Sequence, residues 1–200
     1  EADAFGPDVH PCFVPVNLIA GIETEVIFYP ILAPADLRMR LACFDTDGGT
    51  RATIELPGPF AASGSVQFRV DLRSVLADHE VEATPGLYAI LIDAEDGRIP
   101  TRISFGLNYR SSGRPGCNIS SSVLMASSHG VRSRSWLWGA VPCRPGSQNV
   151  IMVSHMPKEK DATESASFSL TMYNENGEIC SRNYEAPACT GLNIISEELL

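Results

Sequence analysis

From Phe13 onward, short apolar runs alternate with turn residues: FVPVNLIAG, TEVIFYPIL, LRMRLACF, TRATIEL, SVQFRVDL, LYAILIDA and RIPTRISFGLNY. In LRMRLACF the apolar Leu37, Met39, Leu41 and Cys43 alternate with Arg38 and Arg40, the period of two of a strand with one face in a core and the other in water. Val66, Phe68 and Val70, separated by Gln67 and Arg69, repeat the pattern. Each of these runs is therefore expected to be a strand. Asp45-Thr46-Asp47-Gly48, Ala94-Glu95-Asp96-Gly97 and Asn174-Glu175-Asn176-Gly177 each end in an acid or amide followed by Gly, the chemistry of a turn that needs positive φ, and each predicts a hairpin tip. Only DLRSVLADHE, residues 71–80, and the tail ISEELL have helical content, and both are too short for a helical layer of their own.

The second half of the chain echoes the first. Aligning Gly48 with Gly177 puts Met39 on Phe168, Leu41 on Leu170, Phe44 on Tyr173, Asp45 on Asn174 and Asp47 on Asn176. One inserted residue then brings Glu55 and Pro57 onto Glu185 and Pro187; DLRSVL is answered by ISEELL, and VIFY at 26–29 by VIMV at 150–153. Two related units are expected. The fold class is all-β: two tandem antiparallel β-sandwich units, immunoglobulin-like in strand count and turn spacing, with the second incomplete. The expected boundaries are a flexible leader at 1–11, unit one at 12–110, a Ser/Gly/Pro/Arg linker at 111–117 and a shortened unit two at 118–200. Residues 77–109 have no counterpart in unit two, which leaves an open sheet edge to be filled from within, by another copy, or by chain running on past Leu200.

Composition narrows the partners. The chain has 200 residues, a formal net charge of −9 and a pI of about 4.9, with no dense Lys/Arg block, so nucleic acid is not an expected partner. The most basic stretch, Arg98 to Arg144, includes Arg102, Arg110, Arg114, Arg132 and Arg134; a solvated face is its first reading and an anion or glycan patch its second. No window approaches the ~18–20 apolar residues of a membrane-spanning helix, so no transmembrane segment is expected. Cys12, Cys43, Cys117, Cys143, Cys180 and Cys189 include no C-x-x-C pair, which excludes a zinc ribbon or thioredoxin-type site by spacing. Their even number in an acidic β-rich chain points to disulfides and export to the periplasm, cell surface or medium, with Cys180–Cys189 and Cys117–Cys143 as the pairs to test.

Candidate chemistry is sparse. Asp45-Thr46-Asp47-Gly48 resembles the opening of a calcium loop, making Asp45 and Asp47 the candidate metal ligands, but the final Glu of the EF-hand pattern falls on Leu56. A plain turn is the simpler reading. His10, His79, His129 and His155 lack metal-ligand spacing. Ser127-Ser128-His129-Gly130 is the nearest approach to a nucleophile and base, yet neighbouring side chains of a strand point to opposite faces and no G-x-S-x-G elbow is present. Asp71, Asp93, Glu95 and Asp96 are the carboxylates available for glycoside hydrolysis, and no Gly-rich phosphate cradle occurs, so no cofactor is expected.

Trp136 and Trp138, two apart in SWLWG, share a face if extended and would stack on a sugar, with Arg132, Arg134 and Arg144 at the rim; filling a core is the plainer alternative. The expected function is a non-catalytic exported module that binds a protein partner or assembles with itself through an open sheet edge. A glycan- or small-ligand-binding module using the two tryptophans is the alternative, and a hydrolase the second alternative.

Overall fold

The computed structural model describes residues 12–31, 33, 36–58, 67–94, 102–111, 117–124, 141, 149–155, 164–195 and 199, with the backbone alone for 12, 13, 102 and 117–124. The leader at 1–11 and most of the Ser/Gly/Pro linker lie outside these residues. The described strands are β1 (Cys12–Leu18), β2 (Glu23–Phe28), β3 (Leu37–Phe44), β4 (Thr50–Glu55), β5 (Phe68–Asp71), β6 (Gly86–Ala94), β7 (Arg102–Arg110), β8 (Cys117–Leu124), β9 (Val150–His155), β10 (Ala166–Asn174), β11 (Gly177–Ala186) and β12 (Thr190–Ile195). One short helix, α1 (Leu72–Asp78), follows β5. The protein is all-β. Its strands form two four-stranded sheets, β1-β6-β3-β4 and β5-β2-β7-β8, and two ribbons, β10-β11 and β12-β9, with every pairing antiparallel.

The alternation in the sequence decides how the large sheets meet. Val14, Val16 and Leu18 of β1, Leu37, Met39, Leu41 and Cys43 of β3 and Tyr88, Ile90 and Ile92 of β6 share one core with Val26 and Phe28 of β2, Val70 of β5 and Ile103 and Phe105 of β7. The two sheets thus lie face to face in a sandwich-like arrangement. Helix α1 closes one end of this core. Asp71 caps it, its Oδ1 accepting the Ser74 N–H at 3.0 Å, and the i, i+4 pair Leu72 and Leu76 is fully buried.

Strand β6 departs from alternation, since LYAILIDA is buried on both faces. The outward Leu87, Ala89 and Leu91 join Ala42 and Phe44 of β3 in a second cluster, against which Cys189 packs. A near-continuous apolar strand needs cover on both sides, and here the chain's second half supplies it: β12 crosses β6 and β1, and β9 approaches β1. Burying Leu87 and Leu91 contributes about 1.5–3 kcal/mol each.

One expectation changes. Ala94-Glu95-Asp96-Gly97 does not mark a hairpin tip, because β6 pairs with β1 and β3 while β7 pairs with β2 and β8, so the chain between them crosses from one sheet to the other. The reason is the apolarity of both faces of β6, which places it inside a sheet with neighbours on either side. Strand β8, which spans the expected junction of linker and second unit, pairs along β7 from Tyr109↔Cys117 to Arg102↔Leu124.

The second half repeats the first in its pairings. β10-β11 matches β3-β4: the register of β3 with β4 shifts between Cys43 and Phe44, and that of β10 with β11 between Met172 and Tyr173, the positions brought together by aligning Gly48 with Gly177. Each turn is held the same way, Asp45 Oδ1 accepting the Asp47 N–H at 2.9 Å and Asn174 Oδ1 the Asn176 N–H at 2.8 Å. β9 pairs with β12 as β2 pairs with β5.

The pairings also adjust the alignment. Glu55 stands opposite Arg40, and Asn183 opposite Ser169, so Asn183 rather than Glu185 corresponds to Glu55, and the second hairpin has one residue fewer in its turn. The core-facing pair Val26↔Val70 matches Ile151↔Ile194, which moves VIFY one residue along from VIMV. A slip of one residue exchanges the two faces of a strand, so burial rather than letter similarity sets this register.

Candidate functional site

Trp136, Trp138, Arg132, Arg134 and Arg144 lie outside the described residues, as do Ser127, Ser128 and His129. Asp45 and Asp47 are exposed in the β3–β4 turn. Asp45 Oδ1 accepts two backbone N–H groups, from Asp47 at 2.9 Å and Gly49 at 2.7 Å, while the Asp45 N–H donates to Gly49 O at 2.9 Å. One carboxylate oxygen is therefore committed to the turn, as an Asx-type side chain commonly is. Among the described residues no group of three His, Cys, Asp or Glu side chains is placed to hold a metal ion.

The other polar groups singled out by sequence hold structural positions. Asp71 is the helix cap. Asp93 is nearly buried on the outward face of β6, its Oδ1 accepting from Arg38 Nε at 2.9 Å and its Oδ2 from Arg40 at 2.8 Å. Both oxygens are thereby engaged. Glu95 and Asp96 lie outside the described residues. His155 Nδ1 lies 3.0 Å from Ala186 O and 3.2 Å from Pro187 O, tying the end of β9 to the end of β11.

The cysteines correct one expectation and leave another outside the described residues. Cys180 and Cys189 are free thiols, not a bridge: Cys180 packs into the ribbon core and Cys189 against the outward face of β6 and β3, two different clusters. The Cys117 side chain and Cys143 lie outside the described residues. Cys43 is also free and fully buried; burial pushes its thiol up to about 11 despite the nearby Arg51 guanidinium, so it is a neutral apolar group at physiological pH.

Among the described residues, the second half consists of two two-stranded ribbons, each strand with a single neighbour. The two ribbons stack through Met172, Ile194 and Leu199, with Phe168, Leu170, Cys180 and Tyr184 of β10-β11 and Ile151 and Leu192 of β9-β12 packed around them. The rings of Phe168 and Tyr184 stack across the hairpin at 5.3 Å. In the first half β3 has neighbours on both sides, β4 and β6, and so has β2, with β5 and β7. Among the described residues, β10 and β9 have one neighbour each, β11 and β12.

Burial and charge both register the difference. Met39 and Leu41 are 1% and 0% exposed, whereas their counterparts Phe168 and Leu170 are only half-buried. β9, VIMVSH, and β10, ASFSLTMYN, contain no Asp, Glu, Lys, Arg or Pro. Other edge strands are protected: β1 by Pro15, β4 by Arg51 and Glu55, β5 by Arg69 and Asp71, and β11 by Glu178, Arg182 and Glu185. β12 also lacks charge but lies over β6 and β1, and β8 carries Ser120, Ser121 and Ser122. The lack of charge in β9 and β10 was readable from sequence; that each has a single strand neighbour among the described residues was not. Comparison with models of protein families, with curated proteins and with solved structures gives no match.

Proposed function

We propose that this chain is a non-catalytic, exported β-sandwich module of immunoglobulin-like type, built from one full unit and one shortened unit, which binds a protein partner or assembles with itself through an open sheet edge. One observation carries the reading: β9 and β10 are uncharged, stand beside half-buried apolar side chains, and have a single strand neighbour each among the described residues. An extended backbone edge offers N–H and C=O groups to an incoming strand, and the apolar face beneath supplies the hydrophobic gain. Export is proposed from the cysteine count and acidic composition.

Light scattering on the purified chain across a wide concentration range tests the assembly reading. A mass that grows with concentration supports it, and a strict monomer at high concentration removes self-assembly, leaving a different protein as the partner. Binding of that partner would then have to weaken when a charge is placed on β10.

A further inference from the structure

We propose that the two halves of this chain fold and unfold as one cooperative unit, with the 187–190 turn and strand β12 as the clasp that locks the second half onto the outer face of β6. A unit with a core of its own folds by itself, and the edge-binding reading above holds whether or not the halves separate. Two contacts tie them together. The first is the outer face of β6, where Leu87, Ala89 and Leu91 are buried with Ala42 and Phe44 of β3, although all five point away from the core between the large sheets. Among the described residues, Cys189 is the apolar side chain packed on them, and β12 crosses β6. Ala188 lies against the β3–β4 turn, where a Cβ on Gly48 would fall on its backbone oxygen.

The turn that carries Ala188 and Cys189 is itself fixed. Thr190 Oγ1 donates to Pro187 O at 2.7 Å, and His155 Nδ1 lies 3.0 Å from Ala186 O. Cys189 holds φ at +56°, a left-handed conformation that a residue other than Gly keeps only where its surroundings impose it. The second contact is Asn17, whose side chain meets Val153 O and Ser154 Oγ of β9 and Leu192 O and Asn193 Oδ1 of β12, while Asn193 Nδ2 returns to Leu18 O. Parting the halves exchanges these bonds for water and bares the five apolar side chains at once. Opening either half alone does the same to the half that stays. A state with one half folded therefore gains little over complete unfolding, and the two transitions merge into one.

Scanning calorimetry and amide hydrogen exchange in low urea test this on the full chain. The expected result is a single transition whose calorimetric and van't Hoff enthalpies agree, with the slowest amides of β3, β6, β9 and β12 sharing one opening equilibrium. Met172→Ala, a truncation in the ribbon core, is expected to speed the slowest amides of β3 and β6 about tenfold or more, by the same factor as those of β12. Thr190→Val, which removes only the hydroxyl bond to Pro187 O, is the milder variant and is expected to speed both sets equally, by several-fold. A Met172→Ala chain that unfolds in both halves together supports the coupling. One that loses protection in β10 and β12 while β3 and β6 keep theirs overturns it, as do two calorimetric transitions of which Met172→Ala moves only one.

Discussion

Asn17 on β1 and Ser154 on β9 share a 2.8 Å hydrogen bond, Ser154 Oγ donating to Asn17 Oδ1, between positions 137 residues apart. The amide nitrogen of Asn17 lies 3.3 Å from Asn193 Oδ1, 3.4 Å from Leu192 O and 3.5 Å from Val153 O, and Asn193 Nδ2 donates to Leu18 O at 3.2 Å. Asn17 is 3% exposed, so a polar side chain that alternation would send toward water is instead the joint between the large sandwich and the β9-β12 ribbon. A buried amide with its hydrogen bonds made holds two surfaces in one register, since any slide leaves its polar atoms unpaired.

Replacing Asn17 should therefore loosen that joint. Asn17→Ala is expected to cost about 1–3 kcal/mol in urea denaturation, the usual range when buried polar groups lose their partners. Gly191 faces the same amide, and a Cβ there would stand 2.5 Å from Asn17 Oδ1. Gly191→Ala should destabilise the protein alone but less so in the Asn17→Ala background, where the clash is gone. A double-mutant cycle checks this; strict additivity would show that the two positions do not meet as described.

Asp93 offers a contrast on the same sheet. Its side chain is 9% exposed, while Arg40 is 18% and Arg38 62% exposed. Asp93→Ala leaves the more buried guanidinium without its carboxylate and is expected to cost about 2–3 kcal/mol, as for charge-assisted hydrogen bonds. Arg38→Ala, whose side chain is largely in water, is expected to cost under about 1 kcal/mol. Thermal melts of the two variants give the ordering directly.

The matched turns predict unequal responses to the same substitution. Gly48 and Gly177 both have positive φ, +84° and +120°, but a Cβ on Gly48 would fall on the backbone oxygen of Ala188, whereas Gly177 faces open space. Gly177→Ala should cost about 1–2 kcal/mol for the backbone conformation alone. Gly48→Ala should cost clearly more and also disturb the 187–190 turn, visible as faster amide exchange there. Equal costs would mean that the β3–β4 turn does not touch that segment.

Cys43 makes stability depend on alkaline pH. Its thiol, pushed up to about 11 by burial, stays protonated in the folded chain while the unfolded thiol ionises from an ordinary value of 9.0. The folded state then holds the extra proton, so stability is level below pH 9 and falls as pH rises from 9 toward 11, by about 2–3 kcal/mol in all. In Cys43→Ala that part of the fall should vanish, leaving only the slope from other groups, such as Cys189, whose pKa burial also raises. The wild-type Cys43 thiol should react with a thiol reagent only on unfolding.

Local pattern determined the strands and turns of this protein. The alternation of Leu37, Met39, Leu41 and Cys43 marked β3 and its buried face, Asp45 to Gly48 and Asn174 to Gly177 marked two hairpins, and their likeness marked the repeated pairings, because period and turn chemistry act over neighbouring residues. The absence of charge in β9 and β10 was equally plain in the letters. What joins distant segments was not. The crossing between β6 and β7, the cover over Leu87, Ala89 and Leu91, the separation of Cys180 from Cys189 and the Asn17 joint depend on which surfaces meet. Hydrophobic burial has no direction along the chain, so only the packed arrangement chose among the partners that alternation allowed.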